Sequence, residues 1–160
     1  MLFLIGRLSL IGFIISLTSC ADIKDIVGRP DTPLLYRHSS SDFIVAWNAL
    51  ETDNDTVIEG RITNVKNIQI HGIELKATVS NTAGNSLSEG AFLRESINLR
   101  MNDSVSFSVK LKDAKIAKGN VLEFKMRYQI LTGGWGGRDA QSSFKVEAAT
   151  GVAIEEKSEK

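Results

Sequence analysis

The central part of the chain alternates apolar and polar residues with a period of two. In residues 105–111 (VSFSVKL), 122–130 (LEFKMRYQI) and 73–79 (IELKATV), every second side chain is apolar. Successive side chains of a strand point to opposite faces of a sheet, so this pattern predicts strands with one buried face. Similar patterns predict four further strands, at residues 42–51, 56–63, 94–101 and 141–148.

The predicted strands favour an all-β domain. Polar turns separate them, as in the NTAG sequence at residues 81–84, and no segment has the 3.6-residue period of an amphipathic helix. Residues 113–120 (DAKIAKGN) fit either a helical turn or a loop. Short strands linked by polar turns are typical of two antiparallel sheets packed face to face. We therefore predict an antiparallel immunoglobulin-like β-sandwich of about seven strands over residues 42–150.

The segments on either side of this domain lack a regular pattern. Residues 20–41 contain two prolines and a serine triplet, which predicts a lipidated N-terminus followed by a tether. As an alternative, the apolar residues Leu34, Leu35 and Tyr36 dock on the domain. Residues 151–160 end in EEKSEK, which is too polar to bury and predicts a frayed C-terminal tail.

A different pattern occupies the N-terminus. An apolar run follows Arg7 and ends at Leu17-Thr18-Ser19-Cys20, where the small residues Thr18 and Ser19 precede the chain's single cysteine. A run of about ten residues suits the apolar core of a secretory signal and is short for a membrane-spanning helix of about 20 residues. Because residues 2–5 are also apolar, an uncleaved signal anchor over residues 1–18 is the alternative interpretation.

The sequence Leu17-Thr18-Ser19-Cys20 resembles the lipobox of bacterial lipoprotein precursors. In that family the cysteine sulfur receives a diacylglyceryl group, and signal peptidase II then cleaves the bond before the cysteine. The resemblance implies that residues 1–19 are a signal peptide, that Leu17, Thr18 and Ser19 are recognised by the peptidase, and that Cys20 is lipidated. Several acyl chains give stable membrane attachment, whereas one gives marginal binding.

The resemblance also implies a location. Ala21, rather than aspartate, follows the cysteine, which resembles the pattern of lipoproteins that are sent on to the outer membrane. We therefore expect a bacterial cell-envelope protein, anchored at the periplasmic face of the outer membrane rather than at the inner membrane. Its expected partners are the membrane, through the lipid on Cys20, and an envelope protein.

Residues 60–84 resemble the FxLYD-type domain of bacterial envelope proteins. The positions that match are Gly60, Ile62, Asn64, Ile73, Leu75, Val79 and Gly84. The chain departs from the family at Ala77, Ser80 and Asn81, where the family has Phe, Tyr and Asp. The family is an immunoglobulin-like module without a defined activity, so the resemblance implies a fold and leaves the function open.

Charge and cysteine content exclude several classes of partner and stabilising element. The mature chain, without residues 1–19, has 18 basic and 19 acidic residues. This near-neutral balance gives no general attraction to nucleic acid. With Cys20 as the single cysteine, an intramolecular disulfide is impossible.

The residue types that carry catalysis or bind metals are sparse and scattered. His38 and His71 have no carboxylate or cysteine at ligand spacing, and a lipidated Cys20 cannot act as a nucleophile. Asp53 and Asp55 lie in ETDNDT, which lacks the glycine and terminal glutamate of a calcium loop and predicts a polar hairpin turn instead. The sequence therefore predicts no enzyme, no cofactor and no metal site.

The segment GGWGG, at residues 133–137, is the candidate binding feature. Trp135 sits among four glycines and is followed by Arg138 and Asp139. The tryptophan either caps the sandwich or projects as an anchor for a protein partner or a sugar face. Three functions remain open: a non-enzymatic protein-interaction module, a glycan or small-ligand binder that uses the Trp135 loop, and an enzyme, which would require a buried carboxylate pair in a cleft. Trp47, on an alternating strand, is predicted to lie in the core.

Overall fold

The computed structural model describes residues 33–132 and 136–154. Eight strands and no helix are present in these two ranges. They are β1 (Tyr36–Ser39), β2 (Phe43–Glu51), β3 (Thr56–Asn64), β4 (Ile70–Ser80), β5 (Ser86–Leu99), β6 (Ser104–Leu111), β7 (Val121–Thr132) and β8 (Gly136–Glu147). The predicted all-β class is confirmed.

The strands form two four-stranded antiparallel sheets. The first has the order β1-β2-β3-β6 and the second the order β5-β4-β7-β8. The chain crosses between the sheets after β3, β5 and β6, so each sheet combines strands that are distant in sequence. The buried faces of the two sheets pack on each other, which is the predicted immunoglobulin-like sandwich.

Strand β1 lies inside the segment that the sequence pattern assigned to the tether. The Tyr36 hydroxyl donates a hydrogen bond to the carbonyl of Ala149 at 3.0 Å, and its ring centroid lies 5.7 Å from that of Trp47. Preceding residues are held by the Asn48 amide, which accepts from the Leu35 N–H at 2.8 Å and donates to the Pro33 carbonyl at 3.2 Å. A four-residue strand shows too few alternations to be recognised from sequence.

Two other strands begin five or more residues before their predicted start. Strand β5 covers residues 86–99 rather than 94–101, because its first residues are mostly polar and exposed and carry no apolar alternation. Strand β8 covers residues 136–147 rather than 141–148, and it begins in the glycines of the GGWGG segment. Residues 113–120 contain turns without a helix, so the loop alternative is the observed one.

The core centres on Trp47, which is fully buried as predicted. Its ring centroid lies 5.0 Å from that of Phe124 and 6.0 Å from that of Phe144 on the opposite sheet. In the first sheet, Gly60 lies between Trp47 and Phe107 in the same cross-strand row. A Cβ atom at Gly60 would collide with the carbonyl oxygen of Ala46 and would lie 2.8 Å from the Phe107 ring. Glycine therefore makes room for the two large rings on either side of it.

Asn64 fastens the two sheets together at the end of β3. Its side chain is fully buried, and its amide nitrogen donates to the carbonyls of Ile68 at 2.8 Å and Leu99 at 3.1 Å. The amide oxygen accepts from the Lys66 N–H at 3.0 Å. One side chain thus satisfies three backbone groups from the β3–β4 connection and the end of β5.

Candidate functional site

The candidate site is a groove on the outer face of the second sheet, formed at an irregularity in β4. Gly72 has a φ of +74°, a conformation that favours glycine. On one side of it His71 pairs with Asn98, and on the other Ile73 pairs with Arg94, so β5 uses extra residues over this stretch. The resulting bulge opens a groove of about 300 Å³.

The groove is lined by apolar residues, among them Leu93, and by charged and polar ones. Those on which its chemistry depends are Glu74, Glu95, Arg127, Gln129 and Asp139. A nitrogen of the Arg127 guanidinium lies 3.7 Å from Oε2 of Glu74, and both side chains are well exposed, which makes this a weak surface pair. Both positively and negatively charged residues line the groove. This arrangement offers hydrogen-bond donors and acceptors without an excess of positive charge.

Asp139 and Arg138 are both exposed residues of β8, but the structure separates their side chains. Asp139 pairs with Gln129 and lines the groove. Adjacent strand residues point to opposite faces, so Arg138 projects from the other face of the sheet. There its charge opposes the other influences on the pKa of the Tyr128 hydroxyl. Of these two candidate residues, only Asp139 lines the groove.

Other predicted site residues lie outside the described residues. These are Trp135 and the lipobox residues Leu17, Thr18, Ser19 and Cys20. Their assigned roles stay predictions. The β7–β8 pairing reaches Thr132 and Gly136, three positions beyond the Gln129–Asp139 pair that lines the groove. That interval corresponds to about 10 Å along a strand.

A second polar cluster joins the two sheets beside the groove. The Tyr128 hydroxyl donates to Oδ2 of Asp42 at 2.6 Å, and the Lys66 ammonium and Ser41 hydroxyl donate to Oδ1 of Asp42 at 2.8 Å and 2.9 Å. The hydrogen bonds from Lys66 and Tyr128 hold the pKa of Asp42 below its ordinary value. Burial, and then the bond to Asp42, raises the pKa of Tyr128 well above its ordinary value. Sequence reasoning missed this cluster because its members are far apart in the chain.

Both histidines have local structural roles. The His38 ring stacks on Phe144 with a centroid distance of 3.9 Å, and partial burial lowers its pKa. Nδ1 of His71 lies 3.0 Å from the Asn98 side-chain oxygen on the neighbouring strand. Within residues 33–132 and 136–154, no group of three or more His, Cys, Asp or Glu residues is arranged to hold a metal ion.

The acidic turn between β2 and β3 is a hairpin, as its composition predicted. Asp55 accepts hydrogen bonds from the Lys110 ammonium at 2.6 Å and from the Asp113 N–H at 3.0 Å, and these bonds lower its pKa. The pKa of Glu147 is also lowered, first by its bond to Thr150. A carboxyl group that acts as a general acid near neutral pH needs a raised pKa. The pKa values of Asp42, Asp55 and Glu147 are all shifted in the opposite direction.

Over the same two ranges, no helix is long and apolar enough to cross a membrane.

The features that sequence reasoning missed are the groove and the Asp42 cluster. One local signal points to the groove: Gly72 interrupts the alternation of β4, and an isolated glycine in a strand pattern suggests a bulge.

Comparison with known proteins gives no family for this chain. No protein-family model and no curated protein matches it. Among solved structures, it is similar to Bacteroides uniformis β-glucuronidase 2, with a TM-score of 0.34, 13% identity and coverage of 68% of this chain and 13% of the enzyme. A glycosyl hydrolase family 2 member from Bacteroides cellulosilyticus gives a TM-score of 0.35 and 7% identity, over 67% of this chain and 14% of that chain.

A protein from Archaeoglobus fulgidus is similar over 69% of this chain and 96% of its own length, with a TM-score of 0.36 and 15% identity. The chain thus spans only about an eighth of each glycoside hydrolase that it resembles. Likenesses at these TM-scores do not support the transfer of an activity, a substrate or a partner.

Proposed function

We propose that this chain is a lipid-anchored lipoprotein of the bacterial cell envelope, whose β-sandwich is a non-enzymatic protein-interaction module. The observation that carries the proposal is the apolar run that closes on Leu17-Thr18-Ser19-Cys20. Ala21 supports the periplasmic face of the outer membrane as the location. No specific partner follows from these residues.

The arrangement of the sandwich is consistent with a tethered binding domain. The described chain begins at Pro33, beside Asn48 and near the end of the sandwich that carries the β2–β3 turn. The groove lies in the opposite half, beside the start of β4 and the end of β7. Pro33 and the groove therefore lie in opposite halves of the sandwich.

Two residues of the FxLYD-like segment have specific structural roles that support the proposed resemblance. Gly60 allows two large rings to pack beside it, and Asn64 satisfies three buried backbone groups. Both roles concern the stability of the sandwich, which suits a module whose shared residues specify a fold rather than a reaction.

The anchor is tested by replacing the acceptor sulfur. Cells that express Cys20→Ala and are fed a labelled fatty acid should accumulate an unprocessed precursor without label. Ser19→Ala is the matched control, because it keeps a small residue beside the scissile bond and should be processed and labelled. Normal processing and labelling of Cys20→Ala would exclude Cys20 as the acceptor.

The interaction role is tested by mild crosslinking and copurification of the anchored chain. A partner that uses the groove should be lost on Arg127→Glu and retained on Arg61→Glu, which reverses an exposed charge on the outer face of the first sheet. Equal recovery with both variants would remove the groove from the proposal.

A glycan or small ligand is the second candidate, and the position of Asp139 favours it. Its carboxylate shares the groove with Arg127 and Gln129, and such planar donors and acceptors suit a hydroxyl-rich neutral ligand. Titration with a panel of neutral oligosaccharides should give binding that Asp139→Ala weakens about tenfold or more. The control Asp53→Ala changes an exposed turn and should bind as the wild type does. Absence of binding across the panel would remove this candidate.

A further inference from the structure

The free edge of β8 has a defined set of outward-facing peptide groups. The Glu147 N–H donates to the Val152 carbonyl at 2.8 Å, and the Ile154 N–H donates to the Lys145 carbonyl at 2.9 Å. These bonds show that the odd-numbered residues of β8 direct their N–H and C=O groups away from β7. In an antiparallel pair, alternate residues face alternate neighbours. Asp139, Gln141 and Ser143 therefore direct theirs to the open edge.

The C-terminal residues cover only one part of this edge. Their bonds reach Lys145 and Glu147, while no residue within 33–132 or 136–154 bonds to the outward peptide groups of residues 139–143. The sequence from Asp139 to Phe144 is DAQSSF, with a single charge, no proline and no bulge against β7. Charged side chains, prolines and bulges are the features with which natural proteins protect their edge strands.

The other edge of the same sheet is protected. The bulge of strand β5 opposite Gly72 breaks the regular spacing of its peptide groups. Gly90 brings β5 against the backbone of β6, where an added Cβ atom would lie 2.5 Å from the Lys110 carbonyl oxygen. Within the second sheet, β8 is therefore the edge that is open to pairing.

We propose that a second copy of this chain pairs with residues 138–144 of β8 in antiparallel register, so that the two second sheets become one eight-stranded sheet. A two-fold axis through Gln141 places Gln141 opposite its own copy and Asp139 opposite Ser143. All three positions have outward peptide groups, so this register makes six inter-strand hydrogen bonds. A one-residue shift would leave these groups facing inward-bonded neighbours.

The side chains accept this register. Ala140 comes opposite Ser142, and Arg138 comes opposite Phe144, so no two like charges are opposed. Asp139 is diagonal to Lys145 of the other copy, which has the opposite charge. Pairing stops at Phe144, because Ile154 already occupies the position opposite Lys145.

Both copies can still be anchored in one membrane. Antiparallel pairing points the two Pro33 residues in opposite directions along the sheet. The segment from residue 20 to residue 32 can extend about 40 Å at ~3.3 Å per residue, which is comparable with the length of the longest strands. The proposed dimer does not depend on lipidation of Cys20. A chain that fails to dimerise would therefore leave the proposed function unchanged.

Disulfide trapping tests the register directly. The full chain with Cys20→Ser and Gln141→Cys, purified in mild detergent, should form a covalent dimer under gentle oxidation, because directly opposed residues have Cα atoms about 5.5 Å apart. Ser108→Cys is the matched control, since it is an exposed position on the edge strand β6 and should stay monomeric. Equal trapping in both variants would contradict the proposal.

Sedimentation of the full chain that lacks the Gln141→Cys substitution gives the second test. The wild type should show a monomer–dimer equilibrium, and Gln141→Pro should weaken it by roughly 10- to 100-fold, because proline removes an outward N–H from each copy. The fold should persist in Gln141→Pro, since the lost N–H is not bonded to β7, and circular dichroism should be unchanged.

Two results would overturn the proposal. One is a wild type that stays monomeric at about 100 μM, well above the Kd range of specific complexes. The other is an intramolecular disulfide in a chain with Gln141→Cys and Ser158→Cys, which would assign the edge to the chain's own residues 155–160.

Discussion

Tyr128 donates a 2.6 Å hydrogen bond to Oδ2 of Asp42, and this bond joins the two sheets across 86 positions of sequence. Tyr128 belongs to β7, while Asp42 immediately precedes β2 in the other sheet. The Tyr128 ring also meets Phe43 edge to face, with a centroid distance of 4.8 Å. A short bond from a largely buried phenol to a carboxylate couples the packing of the sheets to the charge of Asp42.

Removing this hydroxyl should destabilise the fold. We expect Tyr128→Phe to lower the free energy of unfolding by about 2 kcal/mol, since a hydrogen bond to a charged group contributes roughly 1.5–3 kcal/mol. Urea denaturation measures the change. Tyr36→Phe is the control, because its hydroxyl bonds to Ala149 at an exposed position and should contribute less than about 1 kcal/mol. A loss in Tyr128→Phe no larger than in the control would contradict the role of the pair.

The lowered pKa of Asp42 predicts a loss of stability in acid. Because the folded state binds the proton less readily than the unfolded state, the contribution of Asp42 is present above its ordinary value of 3.8. It is lost as the pH falls below that value, through the lower pKa of the folded state. Asp42→Asn should therefore be less stable than the wild type near neutrality and approach it in acid, as measured by urea denaturation between pH 2 and pH 7.

Asp53→Asn provides the matched control for the pH series. It removes a carboxylate from an exposed turn, away from Lys66 and Tyr128. If Asp42→Asn lowered the free energy of unfolding by the same amount at every pH, the charge of Asp42 would not be coupled to folding.

Replacing Asn64 should destabilise the fold, because no other side chain among the described residues supplies its hydrogen bonds. We expect Asn64→Ala to cost about 3 kcal/mol, because it leaves buried backbone groups without partners. Asn64→Asp should be at least as damaging, since it turns a carboxyl oxygen toward the carbonyls of Ile68 and Leu99. Thermal and urea denaturation measure both. Asn98→Ala, at an exposed position, should change stability by less than about 0.5 kcal/mol, and equal effects at the two positions would contradict this account.

Gly60 should be required for its lack of a side chain. Gly60→Ala should lower the free energy of unfolding by about 3 kcal/mol, because the new methyl group meets the Ala46 carbonyl and the Phe107 ring. Gly137→Ala is the matched control on a strand, where the nearest atom would be at an ordinary 3.7 Å. That variant should be neutral or slightly stabilising, and a neutral Gly60→Ala would show that the backbone shifts without cost.

Much of the candidate site could not be predicted from the sequence. Asp139 is found beside Arg127 because β7 and β8 pair as a hairpin, and hairpin partners are close in the chain. Leu93, in contrast, reaches the groove from β5, and its position depends on the register shift at Gly72. A lone glycine suggests a bulge but not which partner residues it displaces.

The sequence by itself determined seven of the eight strands at least in part, together with their buried faces, because alternation is a local property of two or three neighbouring residues. It also determined the N-terminal lipobox pattern and the absence of a disulfide, which depend on residue order and count alone. Only the tertiary structure decided that β1 joins the first sheet, that Asp42 meets Tyr128 and that one edge of β8 stays open. Those features depend on which distant strands pair and in what register, and that choice is made by the packing of the whole core.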